Sequence, residues 1–143
     1  MLIVIFGESC TGKSTLAQIL SEKLDAQIYT GKDYLRLAKN EAIAKKLFQK
    51  KLEEAVTDGH MIYVTAQPQE LIPVPPEAIR ILVTAELETI KERFALRMHG
   101  TLPKSVADML ERNHGCFDRE AYDYRVMSGK TDVYALAAQI AAT

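Results

Sequence analysis

The chain has 143 residues, of which 48% are hydrophobic and 26% are charged, a balance typical of a globular domain with an apolar core. Lysine and arginine number 18 against 19 aspartates and glutamates, so the net charge of −1 gives no electrostatic support for a nucleic-acid or membrane partner. The cysteines Cys10 and Cys116 lack metal-ligand spacing and predict neither a disulfide scaffold nor a zinc site. No apolar run is long enough to span a bilayer. We therefore expect one domain over residues 1–143, in the reducing cytoplasm.

Strand and helix signals alternate along the chain. Residues 2–6 (LIVIF) are continuously apolar, as in a strand covered on both faces, and residues 13–24 repeat leucine and isoleucine at helical spacing. Strands that alternate with helices predict a parallel sheet between helical layers, with ligands beyond the carboxyl ends of the strands. The further predicted strands are 27–30, 60–66, 79–85 and 124–127. The further predicted helices are 33–56 (in one or two pieces), 86–98, 105–112 and 131–142.

Two features of these helices are specific enough to be checked. Apolar residues of the segment 33–56 fall roughly on one side, which predicts that this side packs on the sheet. These residues are Leu35, Ala38, Ile43, Leu47, Leu52 and Val56. For the last helix, the candidates for the N-cap are Thr131 and Asp132.

The stretch GESCTGKST at residues 7–15 follows the first strand and fits the pattern G-x-x-x-x-G-K-[ST] without gaps. Glycines let backbone N–H groups curl around a phosphate, and the N-terminus of the following helix adds the positive end of its dipole. Lys13 would reach the outer phosphates, and the Ser14 hydroxyl would ligate Mg²⁺. The pattern therefore predicts a site for a nucleoside triphosphate with magnesium. Its residues are Gly7, Glu8, Ser9, Cys10, Thr11, Gly12, Lys13, Ser14 and Thr15.

Two residues of this loop invite separate interpretation. Glu8 brings a carboxylate close to the phosphates, so we expect its side chain to point away from them. Cys10, near a helix N-terminus and a lysine, is either a reactive thiol or a small spacer residue. We favour the spacer.

Other stretches resemble nucleoside monophosphate kinases of the adenylate and cytidylate kinase type. TGKDYLR at 30–36 resembles their TGD-x-L-R stretch, ERFALR at 92–97 is similar to the entrance of their lid, and ERNHGCFDR at 111–119 to their post-lid helix. The order of elements agrees from end to end. The resemblance implies an α/β fold of three layers, with a five-stranded parallel sheet of order 2-3-1-4-5 flanked by helices. It also implies an acceptor-side helical insertion at 33–58 and a short lid at 97–104.

The resemblance also implies roles for individual residues. The acceptor-binding residues are Thr30, Gly31 and Arg36, of which Arg36 contacts the acceptor's phosphate. The clamp on the transferring phosphoryl group consists of Arg93 and Arg97, with Arg112 and Arg119 as candidates for further members. Cations suit this place because phosphoryl transfer spreads negative charge over the equatorial oxygens, and arginine offers forked donors.

The chain also departs from that family. Lys32 is inserted between the TG pair and Asp33, and the third strand ends YVTAQPQEL, without the aspartate and arginine that the family has there. Small-metabolite kinases of the shikimate and gluconate kinase kind share the fold and the loop, and they place an acidic residue just past the second strand. That residue holds the metal or activates a hydroxyl, so Asp33 is a candidate catalytic residue and metal ligand. A non-catalytic nucleotide-binding module is a third alternative.

The favoured function is thus an ATP-dependent phosphotransferase, a kinase acting on a nucleoside monophosphate or a similar small acceptor. Its catalytic residues would be Lys13, Arg93, Arg97 and Asp33, and its metal cofactor Mg²⁺, held by Ser14 and Asp33. The expected partners are ATP and a small-molecule acceptor, without nucleic acid or membrane. The residues carry no indication of the oligomeric state.

Overall fold

The computed structural model describes all residues, 1–143. The strands are β1 (Leu2–Phe6), β2 (Gln27–Thr30), β3 (Met61–Thr65), β4 (Ile79–Thr84) and β5 (Tyr124–Met127). The helices are α1 (Lys13–Leu24), α2 (Glu41–Thr57), α3 (Leu87–Arg97), α4 (Lys104–Asn113) and α5 (Val133–Ala141). Two short 3₁₀ helices occupy Asp33–Leu37 and Pro68–Leu71. No helix combines the length and the apolarity needed to cross a membrane.

The five strands form one parallel sheet in the order β2-β3-β1-β4-β5, which confirms the strand order that the resemblance implied. β1 lies in the centre, between β3 and β4, and all five of its residues are buried. A strand covered on both faces needs apolar side chains at every position, which explains the unbroken run LIVIF. The carboxyl end of β1 therefore opens in the middle of one sheet edge, where the loop at residues 7–15 begins.

Helices cover both faces of the sheet. On one face, α1 and α5 pack on the strands through Leu16, Leu20 and Ile140. On the other face, α2 packs through Phe48 and Leu52. The hydrophobic effect favours this arrangement, because each helix buries one apolar side while its polar side stays in water.

The predicted inner face of α2 was wrong in part. Leu52 is buried, but Ile43 is 52% exposed and Leu47 is 42% exposed. The buried side of the helix consists instead of Ala44, Phe48, Leu52 and Ala55. Ile43 and Leu47 each precede one of these buried residues by one position, so they point about 100° away from the side that packs on the sheet. The segment is also interrupted: Ala38 is extended and Asn40 caps a new helix, accepting hydrogen bonds from two backbone N–H groups. Residues on either side of that break do not share one helical face.

Two details at element ends bear on the prediction. Asp132 is the N-cap of α5 and accepts from the backbone N–H groups of Tyr134 and Ala135, whereas the Thr131 hydroxyl accepts from the N–H of Met127. The 3₁₀ helix at Pro68–Leu71 was not predicted. It turns the chain back beside the carboxyl end of β3.

Candidate active site

The loop at residues 7–15, here called the phosphate-binding loop, is held tightly at its first residue. The N–H of Gly7 donates to the Thr65 carbonyl at 3.3 Å. A Cβ atom on Gly7 would lie 2.2 Å from the Val83 carbonyl oxygen, so only glycine fits here. Gly12, with φ of 100°, leads directly into α1, whose first turn contains no acidic side chain. The positive end of the α1 dipole therefore faces the loop without a neutralising carboxylate.

Lys13 is the cation at the centre of this loop. Its Nζ donates to the Glu8 carbonyl oxygen at 2.6 Å, and the Thr11 hydroxyl donates to the same oxygen at 2.8 Å. Burial lowers the pKa of Lys13 to about 8, and the nearby Arg97 guanidinium also lowers this pKa. A desolvated ammonium with a single hydrogen bond is well suited to receive an anionic ligand.

A cavity of about 660 Å³, here called the loop cavity, lies over the phosphate-binding loop. Arg93 and Arg97 both line this cavity, beside the loop. Arg93 donates from Nη1 to the Cys10 carbonyl oxygen at 2.9 Å and from Nη2 to the Ser128 hydroxyl at 2.8 Å. Arg97 is exposed and forms no ion pair. Arg93 thus fixes the shape of the loop, while Arg97 is available to a ligand.

The side chains of Glu8 and Cys10 both contact residues outside the loop. The Glu8 carboxylate lies 3.0 Å from Nδ1 of His114 and accepts from the N–H of Gly115 at 3.1 Å. Cys10 is 7% exposed and packs with Ile90 and Leu110 in a small apolar cluster beneath α3 and α4. Both residues therefore join the loop to α3, α4 and the turn after α4. These contacts link residues far apart in the chain, so spacing in the sequence does not predict them.

A second cavity, the edge cavity, has a volume of about 540 Å³ and lies between the phosphate-binding loop and the end of β2. Its lining includes Thr30, Gly31, Asp33 and Arg36 beside Lys13, Ser14 and Thr65. Ser14 and Lys13 border the loop cavity as well, so the two cavities meet at these residues. The residues that the sequence assigned to ATP and to the acceptor are thus brought side by side.

Asp33 is the carboxylate of the edge cavity. Its Oδ2 accepts from the Thr30 N–H at 2.8 Å and from the Thr30 hydroxyl at 2.9 Å. The backbone hydrogen bond from Thr30 is the main reason why the pKa of Asp33 is lowered. The Arg36 guanidinium is 3.9 Å from Oδ1, but its side chain is 85% exposed. The carboxylate is therefore held by Thr30 and only weakly by Arg36.

The remaining arginine candidates are not brought to the loop cavity. Arg112 lines a separate groove with Ser105, Asp108 and Glu111. Arg119 is exposed and is absent from the lining of both the loop cavity and the edge cavity. One residue that sequence reasoning missed is Ser128, which follows β5 and binds Arg93.

The donor set fits magnesium of the kind that arrives with a nucleotide. No group of three or more histidine, cysteine, aspartate or glutamate side chains could hold a metal alone. Ser14 and Asp33 border the same cavity. Mg²⁺ in kinase sites is held by one or two protein oxygens together with substrate phosphates and waters. One hydroxyl and one carboxylate meet that requirement.

No protein-family model and no curated protein matches the chain. Solved structures are similar over nearly its whole length. An uncharacterized protein from Eubacterium ventriosum has a TM-score of 0.68 at 19% identity, covering 98% of this chain and 95% of that one. Shikimate kinase from Acinetobacter baumannii, in complex with shikimate, has a TM-score of 0.64 at 16% identity, covering 97% and 89%. The YorR protein from Bacillus subtilis, in complex with phosphorylated GDP, has a TM-score of 0.62 at 22% identity, covering 98% and 93%.

These similarities show the fold. They include shikimate kinases and a sugar kinase, so they do not single out the adenylate and cytidylate kinase type. The chain has the α/β fold of P-loop kinases.

Proposed function

We propose that this chain is an ATP-dependent phosphotransferase that moves the γ-phosphoryl group of Mg-ATP to a small acceptor. One observation carries the proposal: Lys13, Arg93 and Arg97 meet over a phosphate-binding loop at the carboxyl edge of the sheet. Phosphoryl transfer needs positioning and cationic stabilisation more than covalent help from the protein. Three cations and a helix N-terminus around one cavity supply both.

Each residue then has a distinct role. Lys13 exchanges its bond to the Glu8 carbonyl for an outer phosphate oxygen. Arg97 stabilises the negative charge that develops on the transferring group, while Arg93 keeps the Cys10 carbonyl in place. Ser14, with Asp33 nearby, would hold Mg²⁺, which neutralises phosphate charge and polarises the phosphoryl oxygen when bound.

The edge cavity is the proposed place of the acceptor. A nucleoside monophosphate acceptor is supported by Thr30, Gly31 and Arg36, which resemble the acceptor stretch of that kinase family and line this cavity. A hydroxyl acceptor is supported by the Asp33 carboxylate in the same cavity and by the structural similarity to shikimate kinases and a sugar kinase. In the first case Arg36 holds the acceptor's phosphate, and in the second Asp33 activates a hydroxyl.

A panel assay tests the proposal. Adenosine, cytidine, guanosine and uridine monophosphates, together with ring hydroxy acids such as shikimate, are incubated with the protein and Mg-ATP. ADP formation and the mass of the product are measured. Phosphorylated product supports the phosphotransferase, whereas ATP binding without any product points to a non-catalytic module. Absence of ATP binding contradicts the proposal.

The Asp33→Asn and Arg36→Ala variants are expected to separate the two acceptor classes. A monophosphate needs a cation to hold it, so Arg36→Ala is expected to raise the acceptor KM. The lost hydrogen bond to a charged group is worth about 1.5–3 kcal/mol of binding free energy. A hydroxyl acceptor needs a base or a metal-organising carboxylate, so Asp33→Asn abolishes turnover while Arg36→Ala has little effect. Steady-state kinetics with the best acceptor of the panel distinguishes the patterns. Identical kinetics in both variants and the wild type would contradict the edge cavity as the acceptor site.

ATP affinity is expected to decrease as the pH is raised above the pKa of Lys13, which is about 8 in the free protein. Bound phosphate favours the charged ammonium, so binding above that pKa requires uptake of a proton. The Kd for ATP therefore stays flat below pH ~8 and rises by up to about tenfold per pH unit above it. Isothermal titration calorimetry between about pH 7 and 9 measures this slope. In the Lys13→Arg variant the guanidinium stays charged, so an equal slope there would contradict the assignment to Lys13.

A further inference from the structure

A third cavity, of about 550 Å³, lies beside the edge cavity, between α2 and the 3₁₀ helix at Pro68–Leu71. It is here called the aromatic cavity, because Tyr34, Phe48 and Tyr63 are among the residues that line it. The Phe48 ring centre lies 5.8 Å from that of Tyr34 and 5.0 Å from that of Tyr63. Lys32 borders both this cavity and the edge cavity. The aromatic cavity thus adjoins the proposed acceptor site and offers a fixed apolar wall to a ring.

The carboxylate of Glu70 lies in the wall of this cavity and is held from one side only. Its Oε2 accepts from the Thr65 hydroxyl at 2.6 Å and from the Tyr63 hydroxyl at 3.2 Å. Both donors belong to buried β3, with Tyr63 and Thr65 each 2% exposed. The other oxygen, Oε1, has no hydrogen-bond partner, and no cation pairs with Glu70.

Oε1 is open to solvent, because no buried side-chain oxygen of the chain lacks a hydrogen-bond partner, and a carboxylate oxygen accepts hydrogen bonds readily. Here the two hydroxyl donors fix the orientation of the group, and Oε1 stays able to accept from a ligand. The site therefore favours a molecule that presents an O–H or N–H group at this position.

The charges around the cavity describe the rest of such a molecule. Lys32, Lys45 and Lys46 border the cavity. Lys45 pairs with Glu41 at 3.4 Å, whereas Lys32 and Lys46 have no ion-pair partner. Ile72, also in the lining, is 84% exposed and offers apolar surface that a ring would cover. The cavity is thus complementary to an anionic molecule with an apolar face and one hydrogen-bond donor.

We propose that Glu70 is a specificity-determining residue, whose Oε1 accepts a hydrogen bond from an O–H or N–H group of the phosphoryl acceptor. The acceptor is a small anionic ring compound, with its ring against the aromatic wall and its negative charge near Lys32. This proposal rests on the proposed phosphotransferase function and narrows the substrate class. Amino-bearing nucleoside monophosphates and ring hydroxy acids belong to the class, and uncharged open-chain polyols do not.

The Glu70→Gln variant tests the proposal through a reversal of polarity. In the variant, the Tyr63 and Thr65 hydroxyls still donate to the side-chain amide oxygen, so the amide NH₂ group takes the place of Oε1. A hydrogen-bond donor of the ligand then meets a second donor instead of an acceptor. The Kd values of the four monophosphates, of shikimate and of an uncharged open-chain polyol such as sorbitol are measured by calorimetry on the protein saturated with ADP. At least one of the anionic compounds is expected to bind the wild type, with a Kd that rises about tenfold or more in the variant.

Controls separate a binding role from a structural one. Glu77→Gln removes one charge from an exposed glutamate that makes no hydrogen bond, and its Kd values are expected to equal those of the wild type. Tyr63→Phe keeps the carboxylate but removes one of its two orienting donors, and a smaller increase in Kd is expected. Thermal melting reports on folding, and the Kd for ATP is expected to stay unchanged in all three variants.

The outcomes that overturn this inference differ from those that overturn the function. Equal acceptor Kd values in Glu70→Gln and the wild type, with ATP binding and transfer intact, overturn the role of Glu70 alone. Tight binding of an uncharged open-chain polyol, with no binding by any ring anion, overturns the substrate class. A wild-type protein that does not bind ATP overturns the proposed function and the inference with it.

Discussion

The Lys13→Ala variant is expected to lose phosphoryl transfer by at least about a hundredfold in kcat, the usual effect of removing one preorganised charge-stabilising donor. Lys13 lines both the loop cavity and the edge cavity, so it lies between the proposed sites of ATP and of the acceptor. Its Nζ makes one hydrogen bond, to the Glu8 carbonyl, and the apolar core does not include it. The thermal melting temperature is therefore expected to change little while turnover collapses.

A lysine on the same helix gives the matched control. Lys23 lies in the last turn of α1 and is exposed. Lys23→Ala changes the charge by the same amount and is expected to leave kcat and the ATP KM near their wild-type values. Turnover and ATP affinity that survive in Lys13→Ala would contradict the assigned role of the loop.

The Arg97→Ala variant is expected to lower kcat by several orders of magnitude, about 10³–10⁵ if Arg97 acts as other catalytic arginines do in phosphoryl transfer. The ATP KM changes less, because a contact made mainly in the transition state affects kcat most. Arg93→Ala is expected to lower kcat as well and also to raise the ATP KM, since Arg93 holds the Cys10 carbonyl and the Ser128 hydroxyl. Steady-state kinetics in both substrates separates the two patterns.

Arg125 provides the comparison for these arginines. It is an exposed residue of β5 outside the loop cavity, and Arg125→Ala is expected to keep near-normal kinetics. If Arg93→Ala and Arg97→Ala also turn over at nearly the wild-type rate, the assignment of residues 97–104 as a lid is wrong. The two arginines would then be structural residues of α3.

The phosphate-binding loop could be predicted because its information is local. A strand, a glycine-bounded loop and a helix follow one another within residues 2–24, and the backbone that binds phosphate is continuous. The alternation of strands and helices likewise predicted the parallel sheet. The strand order needed a resemblance to known kinases, since periodicity does not say which strands are neighbours.

Contacts between distant residues could not be predicted. Arg93 binds a carbonyl 83 positions away, and Glu8 binds a backbone N–H 107 positions away. Glu70 was missed although Thr65 is close to it in the sequence. Only the turn of Pro68–Leu71 brings Glu70 back to Thr65, and the sequence showed no periodic signal there. The face of α2 was misassigned because Ile43 and Leu47 are apolar but lie one position before the buried residues Ala44 and Phe48.

α3 and the turn after α4 are attached to the phosphate-binding loop: Arg93 donates to the Cys10 carbonyl, and His114 and Gly115 bind the Glu8 carboxylate. No side-chain hydrogen bond joins residues 33–57 to the loop. The two regions that border the loop are therefore attached to it unequally. We therefore expect a backbone shift at Glu8 or Cys10 to move α3 and the turn after α4 with it. We expect residues 33–57, which have no such hydrogen bonds to the loop, to adjust to an acceptor with less effect on the loop.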